Sequence, residues 1–211
     1  MVRHVASSTH PPRGVALGFS VHTGWAAMVA VTRSGGSVRV LDRRRVGMLP
    51  VPPTPRQDAY PYVYHAAREL PLDDAGRFVR LAEEEARSRA REVLGGAVRE
   101  LRAAGEEVLA SAVITARESP QRALEEILKS HTLVHAAEGA LFRSVIRGAS
   151  EDLGLPVLQV PAPELVERAA RALGLARGKV PGYLAHLGKE LGPPWTADHK
   201  AASLAAVLAL A

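Results

Sequence analysis

Two apolar runs separated by a short polar turn begin the regular pattern of the chain. Val15–Leu17 and Trp25–Val31 are apolar, and the turn Val21–Gly24 between them ends in glycine. Two such runs joined by a tight turn with a glycine predict a β-hairpin. A second glycine turn follows, and Ser37–Met48 then alternates like an edge strand. The chain is therefore predicted to begin with three strands in a meander.

Helical and strand-like segments alternate over the remainder of the chain. An apolar stripe at helical spacing predicts a long helix over Leu72–Ala104, and a buried strand follows over Val108–Ala116. A second long helix is predicted over Ser130–Leu153 and a fifth strand over Val157–Val160. Three more helices follow, over Pro163–Leu173, Gly178–Leu191 and Thr196–Leu210. Thr196 or Asp198 is predicted to cap the last of them. This order predicts an α/β fold, a mixed five-stranded sheet with helices on both faces.

The pattern also predicts a tail, one domain and an insertion within that domain. Residues 1–12 are predicted to be a flexible tail, and residues 13–211 one domain. Prolines and tyrosines fill the irregular segment 49–72, which we interpret as an insertion with a short helix from His65 to Leu70. No run approaches the ~18 apolar residues of a membrane span, and the N-terminus lacks the apolar centre of a signal peptide. We therefore expect a cytoplasmic protein without a membrane partner.

Composition adds a modest basic excess. The chain has 27 Lys and Arg against 22 Asp and Glu, a net charge of +5, and no cysteine, which excludes disulfides and thiolate chemistry. A basic surface permits contact with DNA, RNA or another polyanion. Arg43, Arg44 and Arg45 could contact phosphate, although charge on an edge strand also protects it from pairing with other chains. The candidate phosphate contacts are Thr23, Arg43, Arg44, Arg45 and Lys200.

Three segments resemble the ribonuclease-H-like superfamily, specifically its RuvC-type Holliday-junction resolvase branch. Gly18–Trp25 (GFSVHTGW) is similar to the family's opening hairpin, and Ala137–Val160 to its small-residue helix and fifth strand. Ala197–Leu210 (ADHKAASLAAVLAL) is similar to its C-terminal helix. The resemblance spans Arg13 to Ala211 except for the insertion. It implies a ribonuclease-H-like fold and phosphodiester hydrolysis by two divalent cations that carboxylates bridge.

The chain departs from this family in its acidic residues. Ser20 occupies the position of the bridging carboxylate, and a serine cannot bridge two cations. The resemblance places Glu118 at or near the acid that follows the fourth strand, and Asp198 on the terminal helix. At best two of the usual carboxylates remain, so we expect a domain without two-metal nuclease activity. Its implied role is to bind nucleic acid or another phosphate-bearing partner, and a homodimer is compatible with this role.

A second set of residues favours a different function. His131, His135 and Glu138 lie at i, i+4 and i+7, on one face of the second long helix. Two imidazoles and a carboxylate could hold one divalent metal, such as Zn, Mn or Mg, with an open position for water. The chain would then be a metal-dependent hydrolase of phosphodiester bonds. Hydrogen-bonded histidines at an interface explain the same spacing, so the cofactor stays open at this point.

The remaining candidates surround the end of the first strand. Ser20 and His22 share one face of that strand, so they could act as a nucleophile and its base, although a turn hydroxyl more often bonds its own backbone. Lys200 could bind phosphate directly. We expect one polar pocket lined by Ser20, His22, Thr23, His131, His135, Glu138, Asp198 and Lys200. A purely structural or interaction module is the third hypothesis.

Overall fold

A computed structural model of the chain describes residues 13–49, 63–116 and 122–211. Its strands are β1 (Arg13–His22), β2 (Trp25–Ser34), β3 (Ser37–Gly47), β4 (Glu106–Thr115) and β5 (Val157–Pro161). They form a mixed sheet in the order β3-β2-β1-β4-β5. β2 is antiparallel to both β1 and β3, whereas β4 is parallel to both β1 and β5. The predicted mixed sheet is confirmed, and β1 lies at its centre.

Seven helices of the described residues accompany the sheet. They are α1 (Val63–Ala67), α2 (Leu72–Ala103), α3 (Leu124–Lys129), α4 (His131–Asp152), α5 (Leu165–Leu173), α6 (Val180–Leu191) and α7 (Ala197–Ala209). Short 3₁₀ turns precede α5 and α6. α3 was not predicted, because it is short and buries none of its residues. Of the two predicted caps of α7, Thr196 is the one used: its side chain accepts a hydrogen bond from the His199 N–H.

The two faces of the sheet carry different helices. Val15, Leu17 and Phe19 of β1 pack in the core that contains the buried residues of α2 and α4. Ala16, between them in sequence, packs with Ala202 and other residues of α7, because alternate side chains of a strand point to opposite faces. The central strand is therefore covered on both sides.

Gly18 lets α7 lie directly on the central strand. A Cβ atom at this position would collide with the backbone of Ala202 and Ala206 in α7. Any larger residue would force the helix away from the strand. This close approach brings Asp198, in the first turn of α7, to the carboxyl end of β1.

Some predictions concern residues outside the described ranges. These are the tail at residues 1–12, the insertion between positions 50 and 62, and Glu118. Within the described ranges, no helix is long and apolar enough to cross a membrane.

Candidate functional site

The end of β1 and the start of α7 bring three predicted site residues together. Ser20 Oγ donates a hydrogen bond of 3.0 Å to Asp198 Oδ1. His22 Nε2 lies 2.7 Å from the same oxygen. An ionised carboxylate can only accept, so the imidazole donates its Nε2–H to it. We call Ser20, His22 and Asp198 the Asp198 cluster.

The order of contacts in the Asp198 cluster differs from that of a nucleophile and its base. In a serine hydrolase the histidine lies between the serine and the acid, and it removes the proton of the serine. Here the carboxylate of Asp198 lies between Ser20 and His22, and it receives a hydrogen bond from each. The hydroxyl of Ser20 therefore points at an acid rather than at an imidazole, and His22 is not placed to activate it.

Asp198 is stabilised in its charged form. Partial burial opposes ionisation of this side chain and is the largest single influence, but the hydrogen bonds from His22 and Ser20 and the electrostatic effect of nearby histidines together lower the pKa of Asp198. The positive potential of His22 and His199 acts in the same direction. The carboxylate is thus charged at neutral pH, and its Oδ1 accepts two hydrogen bonds from protein side chains.

An aromatic and a cationic group extend the Asp198 cluster towards solvent. The His22 ring stacks on Trp25, with ring centres 4.4 Å apart and an angle of 11° between the planes. The guanidinium carbon of Arg45 lies 4.0 Å from the centre of the Trp25 ring, and Arg45 is exposed. A positive charge supported by an aromatic ring therefore lies beside the end of β1.

The three consecutive arginines of β3 have different surroundings. Arg43 donates to the carbonyl oxygens of Leu191, Gly192 and Pro193 at the end of α6. Arg44 bonds Asp42 and Glu100, at 2.6 and 2.7 Å. Arg45, on Trp25, is the most exposed of the three. The other candidate phosphate contacts, Thr23 and Lys200, are half-buried, Thr23 in the turn after β1 and Lys200 on α7.

A second cluster joins α1 to the start of α4. A ring nitrogen from each of His65, His131 and His135 lies within 4.8 Å of the other two. His131 Nε2 and His135 Nε2 are 3.0 Å apart, and the rings of all three residues meet edge to face. We call these three residues the histidine cluster. His65 was not predicted to belong to a site.

Glu138 does not lie beside His131 and His135 as a third ligand, as the helical spacing predicted. It is 2% exposed, and its Oε1 accepts hydrogen bonds from the backbone N–H groups of Tyr64 and His65, at 2.7 and 3.3 Å. The same oxygen lies 3.5 Å from His65 Nδ1. The third member beside His131 and His135 is therefore His65, and Glu138 lies behind it. The reason is that α1 packs over the second turn of α4 and buries that part of the predicted face.

Burial also affects the charge of Glu138. Desolvation raises the pKa of this carboxyl group, against the lowering effect of the hydrogen bonds from Tyr64 and His65. Its other oxygen, Oε2, is buried and has no hydrogen-bond partner among the residues that the structure describes.

The predicted single pocket is divided into two clusters. The Asp198 cluster lies on the face of the sheet that α7 covers, because it is built on α7 and on the side of β1 that includes Gly18. The histidine cluster is built on α1 and α4, which pack against the other face. The central sheet separates the two, so these residues do not line one pocket.

Known structures share this fold. Thermus thermophilus RuvC in complex with a Holliday junction substrate matches with a TM-score of 0.54 and 15% identity, covering 92% of this chain and 91% of that chain. Another Thermus thermophilus RuvC structure matches with a TM-score of 0.51 and 16% identity, covering 92% of each chain. No protein-family model and no curated protein matches the sequence. The chain thus has a ribonuclease-H-like fold of the RuvC type.

Proposed function

We propose that this chain binds nucleic acid at the carboxyl end of β1 without two-metal hydrolysis. The observation that carries the proposal is the hydrogen bond from Ser20 to Asp198. The resembled family has a carboxylate at the position of Ser20, where it bridges two cations. Here a neutral hydroxyl stands in that place and donates a hydrogen bond to Asp198. A hydroxyl cannot supply the charge that holds two cations together.

The Asp198 cluster offers one carboxylate, and one of its oxygens already accepts hydrogen bonds from the protein. Its acid receives donors from Ser20 and His22, and these donors lower its pKa. Both donors point at Asp198 Oδ1, so a divalent cation such as Mg²⁺ would compete with them for that oxygen. It would gain one carboxylate at this place, whereas such ions are usually held by one or two carboxylates together with substrate phosphates.

The surroundings of the Asp198 cluster suit a nucleic-acid backbone. Arg45 supplies positive charge, and the exposed ring of His22, stacked on Trp25, supplies a flat aromatic surface. Proteins that bind single strands combine cations with aromatic rings in this way, and cations position a duplex through its phosphates. One matching structure is a RuvC in complex with a Holliday junction. Branched DNA is therefore the first partner to test.

Fluorescence anisotropy with labelled four-way junction, duplex, single-stranded DNA and RNA at two salt concentrations tests the proposal. We expect binding that weakens as salt rises, because phosphate contacts release counterions. Arg45→Ala should reduce the log–log salt slope by about 1, the loss of one phosphate contact. Arg39→Ala is the matched control, since Arg39 is exposed on the same strand and pairs with Thr32, far from the Trp25 end.

Two results would contradict the proposal. The first is the absence of binding to all four substrates at low salt. The second is cleavage of any of them with Mg²⁺ or Mn²⁺ that Asp198→Asn abolishes, because it would show a working metal centre at the Asp198 cluster. Cleavage that depends instead on His135 would favour the metal-dependent hydrolase.

A further inference from the structure

We propose that His65, His131 and His135 form a binding site for a divalent transition metal such as Zn²⁺. This proposal is independent of the nucleic-acid proposal, because the two clusters share no residue and lie on opposite faces of the sheet. A ring nitrogen of each histidine lies within 4.8 Å of the other two. Tetrahedral Zn²⁺ with Zn–N distances of about 2.0–2.1 Å holds its nitrogen ligands about 3.3 Å apart. Small side-chain rotations would reach that geometry.

The helices fix two of the three ligands before any metal binds. His131 and His135 are one turn apart on α4, so their side chains lie on the same side of the helix. Their Nε2 atoms are 3.0 Å apart, close to the spacing that a shared ion requires. Ser130 caps α4 through the Leu133 N–H and so fixes the turn that carries His131. Little conformational freedom is lost when this pair binds an ion.

Glu138 is placed to orient the third ligand. A histidine that binds metal through one ring nitrogen commonly donates its other N–H to a carboxylate, which fixes the tautomer and the ring orientation. His65 Nδ1 lies 3.5 Å from Glu138 Oε1, so an ion bound through Nε2 would place Nδ1–H towards that carboxylate. The same carboxylate oxygen binds the backbone N–H groups of Tyr64 and His65 and thereby fixes α1. Glu138 is therefore a positioning residue rather than a ligand.

The donor set selects the class of ion. Three neutral imidazoles suit Zn²⁺, Cu²⁺ or Ni²⁺, whereas Mg²⁺, Ca²⁺ and Mn²⁺ prefer oxygen ligands. Three protein ligands leave a fourth tetrahedral position for water or for a group from a partner. His131 and His135 are exposed, so an ion can reach the site from solvent.

Titration of the metal-free full chain with Zn²⁺, in competition with a chromophoric chelator, tests the site directly. We expect one tight Zn²⁺ per chain, and a Co²⁺ complex whose absorption spectrum is that of a tetrahedral ion. His131→Ala and His135→Ala should each weaken Zn²⁺ binding about 100-fold and remove the tetrahedral Co²⁺ spectrum. His186→Ala is the control, because His186 is exposed on α6 near Glu190 and should leave both readouts unchanged.

Glu138→Gln separates positioning from ligation. The amide keeps the size of the side chain but loses the charge, so we expect Zn²⁺ affinity to fall 10- to 100-fold while the tetrahedral Co²⁺ spectrum persists. Because Glu138 is buried, circular dichroism must show that this variant folds. If it does not fold, the exposed His131 and His135 variants decide the question. Failure of the wild-type chain to bind Zn²⁺ more tightly than the His131→Ala and His135→Ala variants would overturn the proposal.

Discussion

The carboxyl groups at the Asp198 cluster and at the histidine cluster have pKa values that are shifted in opposite directions. Asp198 is partly exposed, and although burial opposes its ionisation, the hydrogen bonds from two side chains and the nearby histidines together lower its pKa. Glu138, behind the histidine cluster, is buried, and burial raises its pKa. Its Oε2 has no hydrogen-bond partner in the part of the chain that is described. The Asp198 cluster directs two hydrogen-bond donors at one carboxylate oxygen, whereas the histidine cluster brings together three imidazoles whose nitrogens could bind a metal.

Both clusters lie towards the same edge of the sheet. α4 ends at Asp152, shortly before β5 begins, and β4 is parallel to both β5 and β1, so the start of α4 lies towards the carboxyl end of these strands. The fold therefore offers two places for chemistry at one edge, on opposite faces of β1. Which place carries ligands depends on the local residues and not on the fold. A ribonuclease-H-like sheet alone thus does not determine where a metal binds.

Gly18→Ala should disturb the Asp198 cluster but not the histidine cluster, and we expect it to have the largest effect. The added methyl group collides with the backbone of Ala202 and Ala206, so α7 must move away from β1. We expect the free energy of unfolding to fall by about 3 kcal/mol, measured by urea denaturation. In the protein that remains folded, Zn²⁺ binding at the histidine cluster should persist.

Gly47→Ala is the control for this variant. A Cβ at Gly47 meets no atom within 4 Å, so the change in stability should stay within about 0.5 kcal/mol. If Gly18→Ala proved as stable as Gly47→Ala, α7 would not lie as close to β1 as the structure places it.

Ser20→Asp would give the Asp198 cluster a second carboxylate and so test whether this cluster can bind a divalent cation. Ser20 Oγ lies 3.0 Å from Asp198 Oδ1, so the new acid would face the old one. Two hard oxygen ligands suit Mn²⁺, and we expect Mn²⁺ affinity to rise about tenfold, or about 1.4 kcal/mol. Isothermal titration calorimetry measures this change. Ser20→Asn, of similar size but uncharged, should show no gain, and an equal affinity for both variants would mean that the acids do not converge.

The order of the strands could be predicted because their apolar runs and glycine turns are strong local signals. The predicted meander and the two later strands are found in one mixed sheet, and the long helices end within a few residues of the predicted positions. Short elements were harder to predict. α3 has six residues and buries none of them, so it leaves no apolar stripe to detect.

The sites were less predictable, because they depend on packing between distant segments. The spacing of His131 and His135 predicted a shared face, and the structure brings them together. Nothing in the spacing indicates His65, which reaches them because α1 packs against α4. The same packing buries Glu138, which helical periodicity alone placed beside the two histidines. Likewise, Arg43 and Arg45 look equivalent in the sequence and differ only in what the fold brings near them.

The smallest expected effect concerns the pH dependence of stability at the Asp198 cluster. The pKa of Asp198 is lowered below its ordinary value of about 3.9 in the folded chain, so near pH 4 the folded state binds fewer protons than the unfolded state. The ionised acid therefore stabilises the fold above pH 4, and this contribution is lost as the pH falls through the folded pKa. Because the side chain is 30% exposed, solvent screening limits the contribution to about 1 kcal/mol or less.

Urea unfolding of the wild type and Asp198→Asn at pH 7 and pH 3 measures this contribution. The wild type should be the more stable at pH 7, and the difference should shrink at pH 3, where protonation removes the charge that the substitution removes permanently. Glu84→Gln, an exposed acid on α2, should show no such shrinkage. A difference that grows towards pH 3 would mean that folding raises the pKa of Asp198, as burial does for Glu138. The two clusters would then not differ in how they hold a carboxylate.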